Sequence, residues 1–156
     1  MPTLRLETRI AAPPRACFDL SLSVDAHTAS MGDAGERAVG GRTSGRLELG
    51  ERVTWHAVHF GVPFTMTVAI TAYDAPRRFV DEQVRGPFGR WRHEHLFDEQ
   101  PDGGTLMTDL IAFASPLGPL GPLGPLGAAV DRLALGRYLE RLIVTRNTWL
   151  RTTLEA

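Results

Sequence analysis

The spacing of apolar residues along this 156-residue chain predicts a strand, two short helices, further strands and a long helix. Residues 4–10 alternate apolar and charged side chains, a pattern typical of a half-buried strand. Pro13 and Pro14 suit the start of a helix, so residues 13–22 are expected to form a short one. The stretch 23–31 predicts a second short helix.

The middle of the chain has the pattern of an antiparallel meander. Residues 32–41 contain four glycines and predict a loop. Residues 42–115 are rich in β-branched and aromatic side chains, and turn signals divide them about every ten residues. This pattern predicts six strands, the first of them over residues 42–50.

After residue 127 the apolar spacing becomes helical. Residues 128–154 contain one glycine and no proline, and they predict a helix of roughly 40 Å. A helix of this kind needs a sheet on which to bury its apolar face, and a twisted antiparallel sheet curls. We therefore predict an α+β fold: a curved antiparallel sheet of about seven strands around a long C-terminal helix, in a single domain over residues 1–156.

Four Pro-Leu-Gly triplets connect the last predicted strand to the helix, in the stretch SPLGPLGPLGPLG over residues 115–127. Their period matches polyproline II, which has about three residues per turn and would place Leu117, Leu120, Leu123 and Leu126 along one edge. Proline should also keep the segment from starting the helix early. Two interpretations stay open, a connector whose leucines cap the core and a hydrophobic lid on a cavity. Both expect the leucines to point inward or across the helix start.

Composition excludes several partners and chemistries. The formal net charge of −1 gives no basic surplus for nucleic acid or an anionic membrane. No apolar run approaches the roughly 20 residues of a bilayer span, which favours a cytoplasmic protein without stable membrane insertion. All 17 basic residues are arginine, so Schiff-base and P-loop lysines are absent, and Cys17 is the only cysteine. Nothing indicates a cofactor or a homo-oligomer.

The inner faces of the predicted strands carry polar as well as apolar residues. Because successive side chains of a strand alternate, His93 and His95 share the aromatic face of their strand with Trp91. The same alternation groups Asp81 and Gln83 with Phe79, Asp109 with Met107 and Phe113, and His59 with Trp55. Polar groups left unpaired in such positions would cost about 1–3 kcal/mol each, so they must bind one another, water or a ligand.

Four interpretations of this polar group stay open. It forms a structural His–Asp and His–Gln network, or it orients a ligand in an otherwise apolar pocket. A metal site is a third interpretation, because His93 and His95 lie on one side of a strand and an aspartate could complete the ligands. The fourth is acid–base catalysis by a His–Asp pair. The His-x-His spacing alone is a weak signal for a metal, and we expect none.

The order of elements and several sequence stretches resemble the SRPBCC superfamily, which includes START domains, birch-pollen-allergen-like proteins, polyketide cyclases and lipid carriers. The similar stretches are DAHTASM, GERAVGGRTSGRLELGERVTWHAVHFG, FVDEQVRGPFGRWRHEHLF, GGTLMTDLIAFASPLGPLG and YLERLIVTRN, and they cover nearly the whole chain. The resemblance is to a bacterial branch described as cyclase/dehydrase-like. It implies a helix-grip fold and a cavity for an apolar or amphipathic small molecule, without a shared set of catalytic residues.

These observations lead to three functional hypotheses. The first is a carrier or sensor of a hydrophobic or amphipathic molecule, such as a lipid, an isoprenoid or a polyketide-like compound. The second is a cyclase/dehydrase-type enzyme with a His/Asp acid–base cluster, and the third is a module that binds a protein partner through the triplet leucines. The predicted ligand-binding residues are Trp55, His59, Phe79, Asp81, Gln83, Trp91, His93, His95, Met107, Asp109, Phe113, Leu120 and Leu123.

Overall fold

Seven antiparallel strands form one sheet in the computed structural model, which describes residues 3–32, 35–115 and 124–156. The strands are β1 (Thr3–Ile10), β2 (Arg37–Gly41), β3 (Arg52–His59), β4 (Val62–Asp74), β5 (Arg78–Arg85), β6 (Arg90–Glu99) and β7 (Thr105–Ala114). Their order across the sheet is β1-β7-β6-β5-β4-β3-β2. The predicted fold class, strand number and order of elements are confirmed.

Helices occupy the predicted places in the chain. The two short ones are α1 (Pro14–Ser21) and α2 (Val24–Ser30). The C-terminal helical region consists of α3 (Gly124–Val130), a π-helical turn (Asp131–Leu135) and α4 (Gly136–Leu154). Among the described residues, no helix combines the length and the apolar character that a bilayer span requires.

Two boundary predictions were wrong. Residues 42–50 form no strand apart from one bridge between Ser23 and Arg46, and the strand that precedes β3 is β2, inside the predicted glycine loop. The glycines of β2 belong to an irregular register against β3, because the pairing shifts between Ala38 and Gly40. Glycine tolerates such a kink, so the same residues that predict a loop are compatible with a short, bent edge strand.

The helix also begins earlier than predicted, at the glycine that ends the third Pro-Leu-Gly triplet, so that it includes the whole fourth triplet. α3 starts at Gly124, and Pro125 lies in its first turn, where the missing N–H of proline leaves no hydrogen bond unmade. Leu126 is 61% exposed, so it does not point inward, and the other expected orientation, across the helix start, stays a prediction for it. Leu117, Leu120 and Leu123 lie outside the described residues. Their orientation, and with it the distinction between a connector and a lid, stays a prediction.

An aromatic cluster holds α1 against the sheet. The fully buried ring of Phe18 lies 5.3–5.6 Å from the ring centres of Tyr73, Phe79 and Phe97, in edge-to-face arrangements. Such pairs add about 0.5–1.5 kcal/mol each beyond the area that they bury. Phe18 does not line the open cavity described below, whereas Leu22 after α1 does. The space under α1 is therefore filled, and the cavity begins beyond it.

The backbone conformation of Gly41, the last residue of β2, predicts that a larger residue at this position destabilises the protein. Gly41 has a φ of +67°, and a Cβ added there would lie 2.3 Å from the carbonyl oxygen of Arg52. We expect Gly41→Ala to lower the free energy of unfolding by about 3 kcal/mol or more, measured by urea denaturation. The control is Gly61→Ala, where φ is +72° and no atom lies within 4 Å of the new Cβ. Gly61→Ala should lower the free energy of unfolding by about 1–2 kcal/mol, the cost of a left-handed backbone for alanine. Equal losses in the two variants would show that the contact with Arg52 adds nothing at Gly41.

Candidate functional site

A cavity of about 590 Å³ lies between the inner face of the sheet and α4. The inner-facing side chains of β3–β6 lie on one side of it and the apolar side of α4 on the other, and a hydrogen bond between His59 and Tyr138 joins the two sides. Most of the described lining residues are apolar. Those from the sheet include Val53, Trp55, Ala57, Phe64, Met66, Val68, Ile70, Phe79 and Trp91, and those from the helical region include Leu135, Leu139, Leu142 and Ile143.

Strand register brings the polar residues of one wall together. On β6, His93 lies opposite Asp81 of β5, and His95 lies opposite Asp109 of β7. Both histidines are at least 95% buried, and Asp109 is completely buried. Three neighbouring strands therefore place two imidazoles and two carboxylates side by side. We call these four residues the His–Asp cluster.

Each imidazole of the His–Asp cluster is hydrogen bonded to a different carboxylate. His93 Nε2 lies 2.7 Å from Asp109 Oδ1, and His95 Nε2 lies 2.9 Å from Asp81 Oδ2. The two rings stack with centres 3.7 Å apart, and Phe79 stacks on the far side of His95 at 4.0 Å. Trp91 Nε1 donates to the other oxygen of Asp81 at 3.1 Å. These contacts leave the imidazoles little freedom to rotate.

α4 supplies the counter-ion of the buried carboxylate. Arg146 Nη2 lies 3.5 Å from Asp109 Oδ1, and Asn147 Nδ2 donates to Asp109 Oδ2 at 2.7 Å. The same amide nitrogen lies 3.2 Å from the Thr8 hydroxyl of β1. Asp109 therefore joins β6, β7 and α4 at one point. Arg146 is itself buried, so the two charges compensate each other away from solvent.

Burial and pairing act in opposite directions on the charges of this cluster. Burial disfavours ionisation of Asp109, but Arg146 and the hydrogen bonds from the histidines hold its pKa well below the usual range. The pKa of Asp81 is lowered too, since the hydrogen bond from His95 and the charges of both histidines together outweigh the effect of burial. Burial, with a smaller effect of His95, lowers the pKa of His93 to about 4.

The protonation states follow from these shifts. An ionised carboxylate only accepts hydrogen bonds, so Nε2 of each histidine carries a proton and donates it. At neutral pH, His93 is uncharged, and Nδ1 is its remaining hydrogen-bonding atom, an acceptor. This nitrogen lies 3.9 Å from Asp81 Oδ2, and His93 lines the cavity. A ligand hydroxyl is the kind of group that would complete this arrangement.

Solved structures with the same arrangement of strands and helices are found over nearly the full chain. The Zhui aromatase/cyclase from Streptomyces sp. R1128 matches with a TM-score of 0.75 and 16% identity, covering 99% of this chain and 93% of that one. The protein TTHA0849 from Thermus thermophilus matches with a TM-score of 0.72 and 17% identity over 97% and 99% of the two chains. Ginseng major latex-like protein 151 from Panax ginseng matches at 0.67 and 16% over 98% and 97%. The chain has the helix-grip fold.

This helix-grip fold is the one that the sequence resemblance to the SRPBCC superfamily implies, and that resemblance is confirmed at the level of the fold. No protein-family model matches the sequence, and a comparison with curated proteins finds no match. At 12–21% identity, the solved structures establish the architecture and do not assign roles to residues.

Seven of the predicted ligand-binding residues line the helix-grip cavity, and four described ones do not. The seven are Trp55, His59, Phe79, Asp81, Trp91, His93 and His95. Gln83 instead binds the turn between β5 and β6, through bonds to the backbone oxygen and nitrogen of Phe88. Met107 and Phe113 are buried in the core, and Asp109 lies behind the histidines. Leu120 and Leu123 lie outside the described residues.

Several lining residues were absent from the sequence-based set. Tyr138, Leu139, Leu142, Ile143 and Arg146 come from α4, and Glu36 precedes β2. The helical stripe in the sequence shows that α4 buries one face, but it does not say that part of this face borders an empty volume. Glu36 carried no signal, because a charged residue in a glycine-rich stretch is usually solvated.

The donors of a metal site lie close together in the same cluster. One ligand atom each of Asp81, His93 and His95 lies within 4.8 Å of the others. Asp81 Oδ2 and His95 Nε2 already hydrogen bond to each other at 2.9 Å, so a cation there would have to replace that bond. The described contacts are those of a hydrogen-bonded network on the cavity wall. The same residues line the cavity, so a structural network and a group that orients a ligand are compatible interpretations.

Proposed function

We propose that the protein binds a hydrophobic or amphipathic small molecule in the cavity between the sheet and α4, as a carrier or sensor without turnover. The observation that supports this most is the largely apolar cavity of about 590 Å³ with a polar cluster on one wall. Ligand sites are typically about 300–1,000 Å³, with few polar groups on an apolar lining. A lipid, an isoprenoid or a polyketide-like compound fits this description, and we place its binding in the cytoplasm.

The state of the histidines favours binding over turnover. Both Nε2 atoms are engaged with carboxylates, and a pKa of about 4 makes His93 a weak base and leaves no acidic proton on it at neutral pH. A general acid or base works best when its pKa lies near the operating pH. Nδ1 of His93 is suited to accepting a hydrogen bond from a ligand, and Arg146 adds a cation to the same wall.

The binding proposal predicts different effects for two adjacent residues of β3. Ala57 faces the cavity, whereas Val58 is exposed on the other face. We expect Ala57→Phe to weaken binding of the fluorescent probe 1-anilinonaphthalene-8-sulfonate at least tenfold by filling the cavity, and Val58→Phe to leave it unchanged. Titration of probe fluorescence measures both, and melting temperatures show whether the variants fold, since overpacking costs about 1–3 kcal/mol. Equal binding by the two variants would place the probe outside the cavity.

Native mass spectrometry tests the proposal without a chosen probe. A mass increment that co-purifies with the wild-type protein and is lost in Ala57→Phe would support a bound molecule. Absence of any increment, together with no uptake of the probe or of fatty alcohols, would contradict the binding function.

A second candidate function is a cyclase/dehydrase-type enzyme, because two His–Asp pairs border the cavity. One structural neighbour is itself an aromatase/cyclase. The test is to incubate the protein with a linear poly-β-ketone and to follow the loss of water by mass spectrometry. Our first proposal expects no reaction above the buffer control. If the wild-type protein catalyses the loss of water and His93→Ala abolishes it, the protein is an enzyme and the carrier proposal is wrong.

A further inference from the structure

A second polar group lies against the same cavity, at a distance from the His–Asp cluster. His27 of α2 and Glu36, just before β2, hydrogen bond to each other, with His27 Nε2 2.8 Å from Glu36 Oε1. The imidazole of His27 also packs on Trp55 of β3, with ring centres 4.3 Å apart. All three residues line the cavity.

Glu36 is unusual because its carboxylate borders an apolar volume with little solvent around it. Its side chain is only 12% exposed. Among the described residues, His27 is its one hydrogen-bonding partner, although a carboxylate has about four acceptor positions. A group on a ligand that donates hydrogen bonds would satisfy the remaining positions.

The helix side of the cavity contributes two further polar groups at this end. Tyr138 of α4 hydrogen bonds with His59 of β3, so this pair connects the helix to the sheet. Burial, and in addition the negative charge of Glu36, raise the pKa of the Tyr138 phenol. Glu36 therefore lies close enough to Tyr138 to act on it electrostatically, and both residues face the same part of the cavity.

The two polar groups are separated by the width of several strands. Trp55 lies on β3 and the histidines of the His–Asp cluster lie on β6, three strands away in the sheet. At about 4.8 Å per strand, the separation measured across the sheet is roughly 14 Å. The wall between the two groups is formed by apolar residues such as Val68, Ile70 and Met66.

We infer that the cavity is built for a ligand with a polar group at each end and an apolar middle, whose hydrogen-bond donor, a hydroxyl or a phenol, is held by Glu36. This inference rests on the proposed binding function and specifies its ligand class. Glu36 and His27 select one end of the molecule. His93, Asp81 and Arg146 receive the other end.

Matched alcohols test the inference, because they differ only in the second hydroxyl. The probes are 1,10-decanediol and 1-decanol, measured by displacement of 1-anilinonaphthalene-8-sulfonate. We expect the wild-type protein to bind the diol at least tenfold more tightly than the mono-alcohol. For 1,6-hexanediol and 1-hexanol, which are too short to reach both groups, we expect no such preference.

Variants connect the preference to Glu36. Glu36→Leu should bring the affinities for 1,10-decanediol and 1-decanol within about twofold of each other, with binding of 1-decanol retained. Glu140→Leu, on the exposed side of α4, should keep the wild-type preference. If Glu36→Leu does not fold, Glu36→Gln, which retains an acceptor without the charge, should reduce the preference.

The outcomes separate this inference from the function on which it rests. The proposed role of Glu36 is wrong if the wild-type protein binds both decyl alcohols equally, or if both Glu36 variants keep the wild-type preference. Neither result contradicts the binding function. Failure of the wild-type protein to bind the fluorescent probe and every alcohol would contradict the binding function itself.

Discussion

Replacing Asp109 by alanine is expected to lower the free energy of unfolding by about 3–5 kcal/mol, because it leaves a buried arginine without its counter-ion. Asp109 is completely buried, and it receives hydrogen bonds from His93 and Asn147 while it faces Arg146. Removing the carboxylate leaves these donors unmatched in a site from which water is largely excluded. Urea denaturation followed by tryptophan fluorescence measures the loss.

Two further variants show whether the loss comes from the buried charge. Asp98→Ala removes an exposed carboxylate from β6 and should change stability by no more than about 0.5 kcal/mol. The double variant Asp109→Ala/Arg146→Met should be less destabilised than the sum of the two single variants, since it removes both charges together. Additive losses in this cycle would mean that Arg146 and Asp109 do not stabilise each other.

Lowering the pH from 6.5 to 4 is expected to remove about 3 kcal/mol of stability through His93 alone. The pKa of His93 is about 4 in the folded protein and about 6.5 in an unfolded chain. Between these values, the unfolded chain binds a proton that the folded protein does not, so stability increases with pH across this window and falls on acidification. The titratable groups that contact His93 are Asp81, His95 and Asp109, and Arg146 faces Asp109 from α4.

The two carboxylates of the His–Asp cluster affect stability in a lower pH range than His93. The pKa values of Asp81 and Asp109 are lowered by folding, so their contribution is present above about pH 4 and is lost as the pH falls further. The slope between about pH 5 and 6.5 therefore reports on histidine, because carboxylates of the unfolded chain take up protons mainly below about pH 5. Urea denaturation at half-unit pH intervals gives this slope.

A substitution of His93 tests whether this residue causes the pH dependence of the free energy of unfolding. His93→Gln keeps a nitrogen donor near Asp109 but does not titrate, and we expect it to reduce the slope between about pH 5 and 6.5 by about one proton. His56→Asn, on the outer face of β3, is the control and should keep the slope of the wild-type protein. An unchanged slope in His93→Gln would show that His93 is protonated in the folded protein.

The local patterns were sufficient for the elements that have a clear period. Alternation along β6 placed His93, His95 and Trp91 on one inner face, and the helical stripe after residue 127 predicted α4. Both signals arise from burying one side of a regular element, which is a local property of the chain. They failed at β2 and at the start of α3, where glycine and proline are compatible with more than one backbone path.

By itself, the amino-acid sequence determined the α+β class, the order of the elements and the presence of polar residues on the inner faces of the strands. The tertiary structure alone determined which histidine pairs with which aspartate, because strand register joins residues 14–16 positions apart in the chain. It also brought Glu36 beside the cavity and Arg146 beside Asp109. Such pairings depend on how the sheet and the helix pack, and no local pattern of apolar and polar residues encodes the distance between side chains that are far apart in sequence.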